Sequence, residues 1–179
     1  TVCKIHAAAK QMNIKHRDII TNGYFSKNID RIQQVAGMLA ESGVNNICLS
    51  VDFFHQETIP LDYVTEFAKA VLKNDVPIYT HPAWLVSRND DNAYNAKTKE
   101  ILKKFNSLGI EQSEGNIIFP SGNALKYLGS YFNDNAEQIN PYIENPRDMK
   151  TISFSANGDV LNENIYNNSM LEIIEHYEV

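Results

Sequence analysis

The sequence predicts an α/β protein, specifically part of a (β/α) barrel with about four parallel strands and crossover helices, followed by a C-terminal β-hairpin and helix. Short apolar segments alternate with segments of helical periodicity, and glycines end several of the helical segments. The alternation also begins with a helix, whereas an open α/β sheet normally begins with a strand. Because four strands are too few to close a parallel barrel, we expect the later part of a larger one.

An amphipathic helix and a first βα unit occupy the start of the chain. Apolar residues at helical spacing over 5–12 predict the helix. Residues 18–20 (DII) are typical of a short buried strand, which ends at the turn-forming residues 21–23 (TNG). Apolar positions then recur every three or four residues over 29–39, and Gly43 supplies the C-terminal stop of this second helix.

The same unit repeats along the next part of the chain. Residues 46–54 (NICLSVDFF) and 76–86 (VPIYTHPAWLV) are strand-like, and Pro82 marks an irregular C-terminal end of the second strand. Pro60 is well placed in the first turn of the helix between them. A third crossover helix over 93–108 and a fourth strand over 115–120 complete the predicted sheet.

The regular alternation ends near residue 125, so we predict barrel units at 1–125 and a C-terminal extension at 126–179. Asn157-Gly158 tolerates the positive φ angle of a tight turn and predicts a β-hairpin over 151–161. Apolar residues at helical spacing from Met170 onward predict a closing amphipathic helix.

Composition excludes several classes of function. The net charge is −6, and no run of Lys or Arg is present, so nucleic-acid binding has little support. No apolar run reaches the roughly 18–20 residues of a membrane span, and no signal peptide opens the chain. The two cysteines form neither a disulfide framework nor a zinc pattern, so we expect no metal site of that kind and a cytoplasmic location.

Polar and aromatic residues cluster where predicted strands end, which is where function collects in parallel α/β folds. For each of them, a structural role in a turn or a backbone cap is the alternative. These residues are Thr21, Asn22, Ser50, Asp52, His55, Thr80, His81, Phe119 and Asn123.

Three of these residues suggest a hydrolase or isomerase. A carboxylate such as Asp52 can orient the imidazole of His55, and His81 can complete a His/Asp metal site in an α/β barrel. Glycine-rich nucleotide motifs and a Gly-x-Ser-x-Gly nucleophile elbow are absent, which disfavours those chemistries. A non-catalytic binding domain is a further alternative, favoured by the polar tail and the lack of a complete catalytic set.

Over residues 18–125 and 151–177 the sequence resembles the later part of a radical S-adenosylmethionine enzyme. Members of that family often end the third barrel strand in Thr-Asn-Gly, as at 21–23, and carry Ser-x-Asp on the fourth strand, as at 50–52. A sixth strand that ends in apolar-Pro-x-Gly is also common, and 119–122 (FPSG) is similar. The C-terminal hairpin and helix are similar to those that follow the core in peptide-modifying and cofactor-maturing members.

The resemblance implies roles for the residues at the strand ends. It implies that Ser50 contacts S-adenosylmethionine, that Asp52 reaches its ribose, and that Phe119 packs near its adenine. Asn22 shapes the turn beside the cofactor. The resemblance implies that Thr21 faces substrate or cofactor, and the candidates for the substrate pocket are Thr21, His55, Thr80, His81 and Asn123.

The resemblance also implies a parent enzyme that cleaves S-adenosylmethionine reductively at a [4Fe–4S] cluster to start radical chemistry on an unknown small-molecule or peptide substrate. The Cys-x3-Cys-x2-Cys loop that holds such a cluster is absent. Since the chain opens on Thr1 rather than Met, we expect it to be cut from a longer polypeptide. We expect the isolated chain to be inactive, to carry no cofactor or metal, and to expose a sheet edge at 18–20 that invites pairing with a second copy.

Overall fold

The fold, taken from a computed structural model, is described for residues 1–132, 152, 154, 157–161 and 163–177. The chain divides into two units, residues 1–134 and residues 135–179. This division falls later along the chain than the boundary expected after residue 125. The first unit contains the parallel sheet and the long helices.

Four parallel strands form the main sheet and lie side by side in sequence order. Ile19, Ile47 and Ile78 are register partners across the first three strands. The pairing continues in the same register toward the carboxyl ends of the strands. The predicted parallel sheet of four strands is therefore confirmed. The strands are β1 (Asp18–Thr21), β2 (Asn46–Ser50), β3 (Ile78–His81) and, after a smaller strand named below, β5 (Glu111–Gln112).

A two-stranded parallel sheet is formed by β4 (Ala83–Trp84) and β6 (Asn116–Ile117). β4 follows β3 along the sequence, and β6 follows β5. Between the two pairings, residues 113–115 stand opposite only residues 81 and 82, so the segment between β5 and β6 carries one extra residue and forms a bulge. Pro82 has no N–H with which to continue the ladder. The predicted strands 76–86 and 115–120 are therefore wrong as single strands, because each is interrupted or shifted at this bulge.

Helices follow the strands as expected. Asn28 and Asn92 cap two of them, each accepting a hydrogen bond from a backbone N–H in the first turn. A short helix after β2 was not predicted: the strand expected over 46–54 ends at Ser50, and Asp52 caps the helix that follows. The helices of the first unit are α1 (Val2–Gln11), α2 (Ile29–Glu41), α3 (Phe53–Gln56), α4 (Leu61–Lys73), α5 (Ala93–Asn106) and α6 (Asn123–Leu128).

The core lies on one face of the main sheet. Alternate strand residues Ile47, Leu49 and Ile78 are buried there against apolar side chains of α2, α4 and α5. The opposite face is more open: Ile20 of β1 is 77% exposed and Tyr79 of β3 is half-buried, whereas Cys48 of β2 is buried there. The helices on which the core depends therefore cover a single side of the sheet.

The second unit contains a hairpin and a helix. β7 (Asp159–Val160) pairs antiparallel with β8 (Glu163–Asn164), so the observed hairpin reverses between Val160 and Glu163 rather than at Asn157-Gly158. Residues 151, 153, 155 and 156 of the predicted first arm lie outside the described residues. The closing helix α7 (Met170–Glu175) is confirmed, and a reciprocal capping box between Ser169 and Glu172 begins it.

None of the helices in the described parts of the chain combines the length and the apolar character that crossing a membrane requires.

Alanine substitutions at two glycines are expected to change stability in opposite directions. Gly23 has a φ of +71°, and a Cβ there would lie 2.8 Å from Leu49 Cδ1, so Gly23→Ala should lower the free energy of unfolding by about 2 kcal/mol. Gly37 lies within α2, where the nearest atom to an added Cβ is 3.9 Å away, so Gly37→Ala should raise it by about 0.5–1 kcal/mol. Urea unfolding measures both, and losses of equal size would contradict this packing.

Candidate functional site

Ser50 and His81 meet at the carboxyl ends of β2 and β3, where they are register partners. Their neighbours Leu49 and Thr80 are fully buried on the helix-covered face, so strand alternation places Ser50 and His81 on the open face. Both residues are half-buried. His81 Nδ1 lies 2.8 Å from Ser113 Oγ, at the bulge between β5 and β6.

Asp52 is fully buried just beyond β2, and its carboxylate is bound by three nitrogen atoms. Oδ1 accepts from the backbone N–H of His55 at 2.9 Å, and Oδ2 accepts from the backbone N–H of Ala83 at 2.9 Å. Oδ2 also lies 2.8 Å from Nδ1 of the His55 ring. A buried carboxylate needs donors of this kind. Asp52 thereby caps α3 and joins it to β4.

The contact with Asp52 fixes the state of the His55 ring. Because the carboxylate can only accept, Nδ1 carries a proton, and in the neutral ring Nε2 is then the acceptor. The hydrogen bond to Asp52 raises the pKa of His55 above its ordinary value of 6.5; burial opposes this, and the negative charge of Asp52 adds to it. The His55 side chain is 36% exposed, and its Nε2 makes no hydrogen bond within the described residues.

Gln56, the last residue of α3, was not singled out by its sequence position. Its Oε1 accepts from the backbone N–H of Asp52 at 3.0 Å, so the other end of the amide must be the NH2 group. This Nε2 is buried and has no partner among the described residues. A buried donor without an acceptor costs about 1–3 kcal/mol, which is unusual enough to mark the position.

An aromatic cleft of about 480 Å³ lies beside α3. Its wall includes the rings of Phe54 and Tyr94, which stack with centroids 5.3 Å apart and an interplanar angle of 6°. Asn123, a candidate for the substrate pocket, lies in the lining of this cleft, and so does Tyr94, which lies on a helix and was not among the predicted site residues. The cleft is lined by Phe54, Ala83, Tyr94, Ile118, Asn123 and Tyr127, among others.

The residues of the Thr-Asn-Gly turn act within the turn itself. Thr21 Oγ1 accepts from the backbone N–H of Gly23 at 3.1 Å, and Asn22 Oδ1 accepts from the backbone N–H of Tyr24 at 3.1 Å. Asn22 is exposed and Thr21 half-buried. These contacts match the alternative, structural role considered for both residues.

Two predicted residues lie elsewhere than expected. Thr80 is fully buried on the helix-covered face, where its hydroxyl donates to the carbonyl of Glu111 at 3.3 Å, so it is a core residue and not a pocket residue. Phe119 lies two residues beyond β6 and does not end a strand of the main sheet.

The three-ligand metal site considered for Asp52, His55 and His81 does not form. Asp52 contacts His55, but His81 is turned to Ser113 instead. Over the part of the chain that the structure describes, no three His, Cys, Asp or Glu side chains gather in a way that can hold a metal ion. The chain has two cysteines, Cys3 in α1 and Cys48 in β2, so it cannot itself supply three thiolates to an iron–sulfur cluster.

Comparison with known proteins identifies no family. No family model matches the sequence, and no curated protein matches it. Among solved structures, the chain is similar to one described as CpGH84B, with 16% sequence identity over 71% of this chain and a TM-score of 0.36. The match spans 26% of that structure's chain, and at this score it supports no conclusion about fold or function.

Proposed function

We propose that this chain is part of a radical S-adenosylmethionine enzyme and forms cofactor-facing and substrate-facing walls of its barrel. The observation that carries the proposal is the main sheet, whose parallel strands follow sequence order while the helices cover one face. A (β/α) barrel has this winding, whereas a doubly wound sheet reverses its strand order and is covered on both faces. The open face would then be the barrel interior.

Ser50 and His81 support the position of the cofactor. They present a hydroxyl and an imidazole side by side on the open face, at the carboxyl ends of adjacent strands. S-adenosylmethionine supplies the radical chemistry in such enzymes, and its polar groups need donors and acceptors of this kind. Asp52 is less accessible: the residue is fully buried and its oxygens already accept from His55 and Ala83, so a ribose hydroxyl could reach it only if neighbouring residues moved.

The free edge of the sheet supports a larger barrel. Among the described strands β1 ends the order of the main sheet, and beside it an apolar notch of about 620 Å³ lies between α1 and α2. We propose that earlier strands of the parent protein pair with β1 and fill this notch. Without them, the same edge is available to a second copy of the chain. Apolar residues that line the notch include Val2, Ile19, Ile20, Phe25, Val35 and Leu39.

Binding of S-adenosylmethionine to the parent protein tests the proposal. After anaerobic reconstitution with iron and sulfide, dithionite should yield 5′-deoxyadenosine. Ser50→Ala should weaken S-adenosylmethionine binding about tenfold, the equivalent of roughly 1.4 kcal/mol for one lost hydrogen bond. Ser107→Ala is the matched control, since Ser107 is exposed and bonds the Lys104 carbonyl within its own helix end.

The possible results distinguish failure of the family proposal from failure of the role proposed for Ser50. A parent protein that binds no iron and yields no 5′-deoxyadenosine would refute the family proposal. Normal cleavage with equal dissociation constants for the Ser50→Ala and Ser107→Ala variants would refute only the role of Ser50.

A further inference from the structure

We propose that His55 is a proton acceptor at the carboxyl edge of the sheet and that Asp52 is its positioning residue. Nε2 of His55 would take the proton of a weakly acidic O–H or N–H group on a bound substrate. This inference goes beyond the proposed function and does not depend on it, because it rests on the arrangement of side chains in this chain alone.

The geometry resembles that required of a histidine base in three respects. One ring nitrogen is held by a carboxylate at 2.8 Å, which sets the tautomer that leaves Nε2 as the acceptor. The carboxylate is itself fixed, because the backbone N–H groups of His55 and Ala83 hold it from two directions. The ring is partly exposed at 36% of its side-chain surface, so a substrate atom has access to it.

Asp52 is the charged group that acts on the His55 ring, since a lysine on α5 is directed to another ring and the glutamate just after α3 is exposed. Asp52 is the charged group that raises the pKa of His55, and burial is the effect that opposes it. On the adjacent helix α5, the ammonium group of Lys97 lies 4.4 Å from the centre of the Phe53 ring and is directed to that ring. Glu57 follows α3 and is exposed.

The step balances as a simple proton transfer. The substrate loses a proton from oxygen or nitrogen and keeps the electron pair, and Nε2 gains the proton. The ring becomes an imidazolium that donates from Nδ1 to the carboxylate, while Asp52 stays ionised. The carboxylate stabilises the charge that forms on the ring, which is why a partner at this distance favours proton uptake.

Nitrogen NMR of the isotopically labelled chain tests the tautomer and the pKa. We expect the neutral His55 ring to carry its proton on Nδ1 and its pKa to lie above the ordinary value of 6.5. Asp52→Asn should lower the pKa of His55 and remove the tautomer preference, a change that loss of stability alone does not produce. His55 with its proton on Nε2 in the unmodified chain would overturn the proposal.

Acylation by diethyl pyrocarbonate tests access to Nε2 and needs no variant. This small electrophile reacts with neutral imidazole nitrogen, and mass spectrometry reports each of the five histidines separately. We expect His55 to be acylated above its pKa to an extent comparable with His16. Protection of His55 at high pH while His16 reacts fully would show that the ring cannot reach a substrate proton, and it would refute the proposal whether or not the parent enzyme cleaves S-adenosylmethionine.

Discussion

Gly115→Ala is expected to lower the free energy of unfolding by about 3 kcal/mol, the sum of backbone strain and overpacking. Gly115 has a φ of +78° and lies in the bulge between β5 and β6. A Cβ there would collide with the carbonyl oxygen of Pro82 and would lie 2.9 Å from Trp84 Nε1. The neighbouring Glu114 carbonyl accepts the indole N–H at 2.8 Å, so moving this backbone would also break that bond.

Gly109→Ala is the matched control for this prediction. Gly109 has a φ of +79°, but nothing lies within 4 Å of an added Cβ, so it should lose only the roughly 1 kcal/mol of left-handed strain. Urea unfolding followed by the fluorescence of Trp84, the single tryptophan, measures both variants. Losses of the same size would mean that the close approach of Gly115 to Pro82 does not exist in solution.

Helical periodicity predicted the long elements well because it persists over many residues. α2, α4 and α5 each have 13 or 14 residues, and each repeats its apolar positions often enough to be recognised. β5 consists of Glu111 and Gln112 alone, and two polar residues carry no strand pattern. Its pairing with β3 depends on backbone hydrogen bonds that tertiary structure brings together, which sequence periodicity does not report.

The hairpin shows how tertiary contacts select among turn signals. Asn157-Gly158 has turn chemistry, but Gly158 is also the place where the ring of Tyr166 approaches, since a Cβ there would lie 2.6 Å from Tyr166 Cε2. The side chain of Asn164 donates to the carbonyl of Asn157 at 3.0 Å and helps to set the observed arrangement. Neither contact is visible in a local pattern.

The rule that function collects at strand ends singled out Ser50, Asp52, His55 and His81, which do lie at or just beyond strand ends, but it did not single out their partners. Ser113 and Gln56 contribute through hydrogen bonds that become evident only when the strands and α3 are placed together. The same limit explains the error at Thr80, which lies near the carboxyl end of β3 as expected but on the helix-covered face of the sheet. A register shift of one residue reverses that side, and the sequence did not fix the register there.

Asp52→Ala is expected to cost about 3 kcal/mol of unfolding free energy. It removes the cap of α3, worth about 1 kcal/mol, and it leaves the backbone N–H of Ala83 without an acceptor, which costs about 1–3 kcal/mol. His55→Gln is the comparison variant: it removes the ring but keeps both backbone hydrogen bonds to Asp52, so its cost should be clearly smaller. Equal costs in urea unfolding would contradict the central role of the carboxylate.

The pH dependence of stability separates the contact of Asp52 with the His55 ring from its hydrogen bonds to backbone N–H groups. Folding raises the pKa of His55 above 6.5, so the protonated ring is bound more tightly in the folded chain. The resulting stabilisation is fully present below pH 6.5 and is lost as the pH rises through the folded pKa.

The unfolding free energy of the unmodified chain should therefore exceed that of His55→Gln by more at about pH 5.5 than at about pH 8.5. The Asp52→Ala variant and the double variant with His55→Gln should show no such pH-dependent difference, because without the carboxylate of Asp52 the cause that raises the pKa of His55 is removed. A gap between the unmodified chain and His55→Gln that widens with rising pH would mean that the ring binds its carboxylate in the neutral form alone.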